Sequence, residues 1–215
     1  CLAGFGNLGA LCASDDPEHA ARPFDEDRSG FVPGEGAGAL VLESFEHALA
    51  RGAHIIAEVA GFGSTGDAYH MTAPDPSGQG AVRAMRAALE EGGFTPADLG
   101  HLNAHGTSTK ANDAMEAAAL TALCGAGAKV PVTSVKGTVG HMLGAAGAVE
   151  AIVCAYSVAH GVVPPTAGTR TVDAACPVNV VTGSLLHTGE QAVALSNSLG
   201  FGGHNASLAL SPYRA

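Results

Sequence analysis

Two stretches of this chain repeat one pattern: an apolar run, a turn carrying glycine and histidine, and a longer helical segment. Residues 99–103 read as a strand that delivers the turn His105-Gly106-Thr107-Ser108-Thr109, and residues 111–123 follow as a helix. Residues 130–134 read as a second strand, followed by the loop Lys136-Gly137-Thr138-Val139-Gly140-His141 and a long helix starting near Met142. Periodicity that switches from strand to helix and back in this way specifies an α/β sheet. In open sheets of that class, ligands gather beyond the carboxyl ends of the strands, where both histidines stand.

The rest of the chain keeps the same grammar. Residues 38–42 read as a buried strand, 44–51 as a helix closed by Gly52, and 55–62 as another strand. A loop over 63–80, rich in Gly, Pro, Asp and Ser and long enough to suggest function, leads into a helix over 81–91 that ends on Gly92-Gly93. Residues 192–197 and 206–210 read as the last two strands, a hairpin around Gly200-Phe201-Gly202-Gly203-His204. No repeat or linker interrupts the pattern, so residues 1–215 read as a single structural unit.

Composition narrows the function classes. With 47% apolar residues and only 14% charged, the chain can bury a substantial core, and its 30 glycines imply closely apposed backbones. Ten Lys and Arg residues against a net charge of −10 exclude a phosphate-neutralising surface, so no nucleic acid is expected. No membrane is expected either, because the apolar run over 144–163 carries Glu150 and His160 and reads as a buried helix. The five cysteines are odd in number and lack the spacing of a zinc site or a disulfide framework, which fits a reducing cytoplasm. Residues 1–13 have no basic flank and do not resemble a secretory signal. Beginning at Cys1 without an initiator Met, the sequence reads as part of something longer.

A histidine just beyond a strand and flanked by glycine can bring its ring close to a substrate. Two such rings, His105 and His141, could converge as donors to a thioester carbonyl or a leaving carboxylate. Neutral imidazoles suit that role, and both a helix amino terminus near His141 and the charge of Lys136 favour them. His19, His47, His54, His101, His160 and His187 have no such setting and read as surface or structural residues. A metal site is disfavoured, since no two histidines four apart fall on one predicted helix and no cysteine adjoins these two. Thr107, Ser108 and Thr109 either cap the following helix or bind the amides of a long substrate arm, and the two roles can coexist. Lys136 has Glu150 available as an internal partner. Asp113 and Glu116 share a helix face and read equally well as structural or as site residues. In Gly200-Phe201-Gly202-Gly203, the glycines let backbone amides approach a reacting carbonyl or simply make a turn, while Phe201 is placed to cover a pocket.

These motifs occur with Arg22-Pro23-Phe24-Asp25, Gly30-Phe31-Val32-Pro33-Gly34-Glu35-Gly36-Ala37, Asp67-Ala68-Tyr69-His70-Met71-Thr72 and Gly144-Ala145-Ala146-Gly147-Ala148-Val149-Glu150. In that order they resemble the carboxyl-terminal half of a condensing β-ketoacyl synthase, the elongating kind of type II fatty acid and polyketide synthesis. The resemblance implies the thiolase fold, a five-layered αβαβα sandwich of two similar halves, of which this chain is the second. It implies that His105 and His141 promote decarboxylation of a malonyl-type extender and its attack on an acyl thioester, with Lys136 and Glu150 as the supporting pair. It makes the Phe201 amide half of an oxyanion hole and the Phe201 side chain a gate, with Gly202 beside it. Thr107 and Thr109, and less directly Thr72, match positions along the phosphopantetheine arm of an acyl carrier protein. No separate cofactor is implied.

One departure from the family is large. The acylated cysteine of the family lies in the amino-terminal half, and Cys1, Cys12, Cys124, Cys154 and Cys176 are all poorly placed to replace it. The expectation is therefore a subunit or fragment that is inactive alone and is completed by an amino-terminal half, in a two-fold assembly of complete synthases. That half would also take most of the docking of an acidic carrier. Smaller departures are Leu199, where elongating enzymes commonly have Phe, and Val135. A thiolase would need a second cysteine in the final glycine loop, and a synthase primed from coenzyme A would pair histidine with asparagine. The remaining alternative is a non-catalytic partner resembling a chain-length factor.

Overall fold

The computed structural model describes residues 2–188 and 193–213, so Cys1 and the expected strand position at Ala192 lie outside the described residues. The chain opens with the short helix α1 (Leu2–Asn7), which buries none of its side chains. Helix α2 (Phe45–Ala50) is capped by Ser44, whose hydroxyl accepts the His47 amide. Strand β1 (Glu58–Gly66) follows, then α3 (Gln79–Glu91), β2 (Leu99–Asn103) and α4 (Lys110–Cys124). After β3 (Pro131–Thr133) come the one-turn helix α5 (Lys136–Val139) and the long helix α6 (Ala146–His160). Short strands β4 (Val162–Val163), β5 (Asn179–Val180) and β6 (Leu186–His187) precede the closing hairpin of β7 (Val193–Gly200) and β8 (His204–Ser211).

Six strands form one sheet in the order β1-β8-β7-β2-β3-β5. The pairings β1–β8 and β7–β8 are antiparallel, whereas β7–β2, β2–β3 and β3–β5 are parallel. Helix α3 presents Ala81, Ala84, Met85, Ala88 and Leu89 at the i, i+3, i+4 spacing of one buried face. That face and the Met115–Leu120–Leu123 side of α4 enclose Leu102, Val132 and Leu195 of the sheet. On the opposite face α6 packs Cys154, Ala155 and Val158 against Ala194 and Leu210. Covering both faces explains why β7 is buried over its first five residues with no polar alternation. The stretch Leu143–His160 has the length and apolarity of a membrane span, but it packs here on the sheet.

Several expectations are corrected. Residues 38–42 do not form a buried strand: they are irregular, with Val41 88% and Leu42 73% exposed. The next strand runs over Glu58–Gly66 rather than 55–62, because its pairing with β8 continues to Gly66↔His204 and so claims the first residues of the expected loop. Residues 136–139, expected as loop, make the helical turn α5. The helix expected from Met142 starts at Ala146, after a 3₁₀ turn over Leu143–Ala145.

Candidate functional site

The two histidines reach the same place from adjacent parallel strands, β2 and β3. Their rings stand edge to face, with centroids 5.2 Å apart and planes at 84°. The turns that carry them are conformationally demanding. Ser108 (φ 68°) and Leu143 (φ 52°) are held in the left-handed region, a cost that persists at sites whose surroundings determine them. Gly106 cannot be replaced without movement, because a Cβ there would fall 2.5 Å from that of Ser134.

Lys136 comes from the first turn of α5 and is 2% exposed. Its ammonium ion pairs with Glu150 of α6 and lies 3.3 Å from Nδ1 of His105. An ammonium can only donate, so Nδ1 of His105 accepts and the ring proton sits on Nε2. His141 reaches the same tautomer differently, because the amide of Leu143 donates to its Nδ1 at 3.2 Å. Two Nε2–H donors therefore remain for a ligand.

Both rings are neutral. Burial, then Lys136 and His141, holds His105 well below the ordinary imidazole range. Burial and then Lys136 bring His141 down to about 4. The direction agrees with the sequence reading, but the leading cause is burial rather than a helix terminus, since α6 begins five residues beyond His141. Burial raises the Glu150 carboxyl, and Lys136 opposes that rise.

A second buried group supports the His105 turn. Glu116 accepts the amides of His105 at 2.8 Å and Gly106 at 2.6 Å, and Asn112 at 2.9 Å. Asp113 accepts the Phe24 amide at 2.8 Å and lies 3.4 Å from the Arg28 guanidinium. Both carboxyls are raised by burial, Glu116 to about 7. Of the two readings open in the sequence, the geometry selects the supporting one.

Thr109 is the N-cap of α4, accepting the Asn112 amide at 3.4 Å, and its hydroxyl is 2.9 Å from that of Thr107. Ser108 is 1% exposed, and its hydroxyl accepts the Arg22 amide. Phe201 is half exposed at the tip of the β7–β8 hairpin and packs on Phe5, with centroids 6.1 Å apart. Phe5 contacts Phe31, and Phe31 stands edge-on to His141 at 5.2 Å. The Gly202 amide is committed to the Met71 carbonyl at 2.7 Å. Thr72 is partly exposed in the same loop as Met71, its amide donating to Nδ1 of His70.

The sequence reading missed Arg28, which is 2% exposed. Its guanidinium donates to the carbonyls of Thr109, Asp25 and Lys110 and to the Asp173 carboxylate at 2.6 Å, tying residues 25–28 and 173 to the start of α4. The available signal was an arginine between two motifs in a chain with few charges. Cys154 and Cys176 are fully buried, their thiols pushed up to about 12 and about 11 by desolvation, so neither is an activated nucleophile.

The family model described as "Beta-ketoacyl synthase, C-terminal domain" matches residues 56–170, and "Beta-ketoacyl synthase, N-terminal domain" matches residues 1–48. A Staphylococcus aureus 3-oxoacyl-[acyl-carrier-protein] synthase 2 is 49% identical over 215 residues, 100% of this chain and 52% of its own length. The solved ishigamide ketosynthase/chain length factor superposes with a TM-score of 0.91 at 44% identity, over 99% of this chain and 50% of that one. A type II polyketide ketosynthase bound to the hexaketide, in complex with its acyl-carrier protein, gives 0.94 at 35%, over 99% and 53%. The chain thus spans about half the length of the relatives it matches.

Proposed function

Because the chain belongs to the β-ketoacyl synthase family and has its thiolase-like fold, we propose that it supplies the decarboxylation and condensation half of a ketosynthase active site. The observation that carries this reading is the pair of neutral rings 5.2 Å apart, each with Nδ1 occupied by a donor and Nε2–H free.

A malonyl thioester bound between them places its carbonyl oxygen against both Nε2–H groups. Loss of carbon dioxide leaves the bonding pair on the α-carbon, delocalised onto that oxygen, where two donors stabilise the enolate without giving up a proton. The α-carbon then attacks an acyl group held on a cysteine thiolester. The amide of Phe201 donates to the developing oxyanion, and collapse expels the thiolate and leaves a 3-oxoacyl thioester on the carrier. The acylated cysteine is supplied by residues outside these 215, an amino-terminal half within two-fold assembled synthases. Thr107 and Thr109, with Thr72 and Gly202 nearer the Phe201 turn, border the path of the phosphopantetheine arm. Substrates arrive on an acyl carrier protein, docked mainly by the completing half, in the cytoplasm, and no further cofactor takes part. Retention of His105, His141 and Lys136 supports a catalytic role over that of a non-catalytic chain-length-factor-like partner.

The test uses the assembled synthase. His105→Ala and His141→Ala are each expected to lower condensation by at least ~100-fold while leaving acylation of the cysteine largely intact. Equal loss of both steps in a folded variant overturns the assignment.

A further inference from the structure

Residues 22–30 form a strap across the turn that carries Thr107, Ser108 and Thr109. The Arg22 amide donates to the Ser108 hydroxyl and the Gly30 amide to the Ser108 carbonyl, each at 3.0 Å. Between those two contacts lies the buried Arg28 guanidinium. It donates to the carbonyls of Thr109 at 3.2 Å and Lys110 at 3.1 Å, and on its own side to the Asp25 carbonyl at 2.8 Å and the Asp173 carboxylate at 2.6 Å. Four of its five N–H groups are thereby used in one planar fork. The strap is itself fixed. The Phe24 amide donates to Asp113 at 2.8 Å, the Thr169 hydroxyl donates to the Pro23 carbonyl at 2.6 Å, and a Cβ on Gly30 would fall 2.5 Å from the Leu11 carbonyl carbon. Ser108 sits at φ 68°, a conformation that its surroundings must hold.

The other part of the turn has a separate support. Glu116 holds His105 and Gly106 by their amides, whereas Arg28 and the strap hold Ser108, Thr109 and Lys110. One turn is therefore gripped by two buried groups, one at the histidine and one at the threonines. The hydroxyls of Thr107 and Thr109 lie 2.9 Å apart. One of their two protons is shared between them, so a free O–H and acceptor lone pairs remain, the complement of an amide's carbonyl and N–H. Such a pair contributes most when it is held in advance, because ordering it on binding subtracts from the affinity. We infer that Arg28 is a positioning residue for the phosphopantetheine arm of the carrier: it presets the Thr107 and Thr109 hydroxyls, and so governs binding of the arm rather than the reaction at the histidines.

This inference rests on the proposed function for the path of the arm, and its test reads binding rather than turnover. The probes are one acyl carrier protein with its phosphopantetheine and the same carrier without it, each titrated against the assembled synthase. The parent is expected to bind the armed carrier more tightly than the bare one. Arg28→Lys keeps a positive charge beside Asp113 and Asp173 but loses the fork. It is expected to weaken binding of the armed carrier ~10-fold and to leave the bare carrier unchanged. Ser108→Gly removes the acceptor of the Arg22 amide and tolerates φ 68° freely, so it is expected to fold normally and to lose the same preference by ~5-fold. That second variant decides the matter where Arg28→Lys does not fold. In folded variants, armed-carrier affinity equal to the parent's, or equal losses for both carriers, overturns the inference, as does a parent with no preference for the armed carrier, even one that condenses. A parent that prefers the armed carrier but does not decarboxylate its malonyl form overturns the functional reading and leaves this one standing.

Discussion

At the scale of single residues, the site is a set of buried titratable groups whose environments oppose one another. His141 is lowered to about 4 from an ordinary 6.5. Between those values the unfolded chain binds a proton that the folded ring refuses, so this group makes stability fall as pH drops from about 6.5 to 4. Asp113 and Glu116, both raised, act with the opposite sign: the fold favours their protonated forms, and their stabilisation is lost as pH rises through the folded values. The urea midpoint of His141→Gln, followed from pH 7 to 4, is expected to fall less than that of the parent, because only the parent carries the imidazole penalty. Lys136 is a different case. Removing it as Lys136→Met leaves Glu150 buried and unpaired, which is expected to destabilise by ~3–5 kcal/mol in denaturant titration, with Lys136→Arg milder. The sequence singled out His105, Lys136, His141 and Glu150, because each stands in a short motif with a chemical reason for its spacing. It did not single out Arg28, whose partners Thr109, Lys110 and Asp173 are remote in sequence.

At the scale of elements, the strand-to-turn-to-helix units are local and could be read locally. Strand β2 has the expected bounds, Leu99–Asn103, because its apolar run and its turn residues agree. The cap at Thr109 is likewise a short-range device. Thr109→Ala removes the acceptor for the Asn112 amide and the partner of Thr107, and is expected to cost ~1 kcal/mol of stability; Thr109→Ser is expected to recover most of it. Strand β1 lies a few residues later than its composition suggests because its end is set by β8, across almost 140 residues of chain. Residues 38–42 show the same limit from the other direction: their strand composition is real, but strand formation needs a neighbour that the described residues do not offer.

At the scale of the whole molecule, this chain carries a three-layered α/β/α unit that brings His105 and His141 together beyond the carboxyl ends of β2 and β3. A completing domain that binds the folded chain stabilises it by mass action. At a concentration a hundredfold above Kd, the gain of ~2.7 kcal/mol corresponds to a rise of roughly 5–10 °C in Tm for a chain of this size. A melting temperature that does not depend on the concentration of the added half is the opposite result. What the sequence determined by itself was the α/β class, the family, and the small group of residues proposed to carry its chemistry, because each is written in contiguous motifs whose spacing has a physical cause. What only the tertiary structure decided was the state of that group: which nitrogen of each histidine holds the proton, that burial rather than a helix terminus keeps both rings neutral, and that Glu116 and Arg28 hold the turns in place. Those properties depend on desolvation and on partners far apart in the chain, which come into being only when the sheet and its helices close around them.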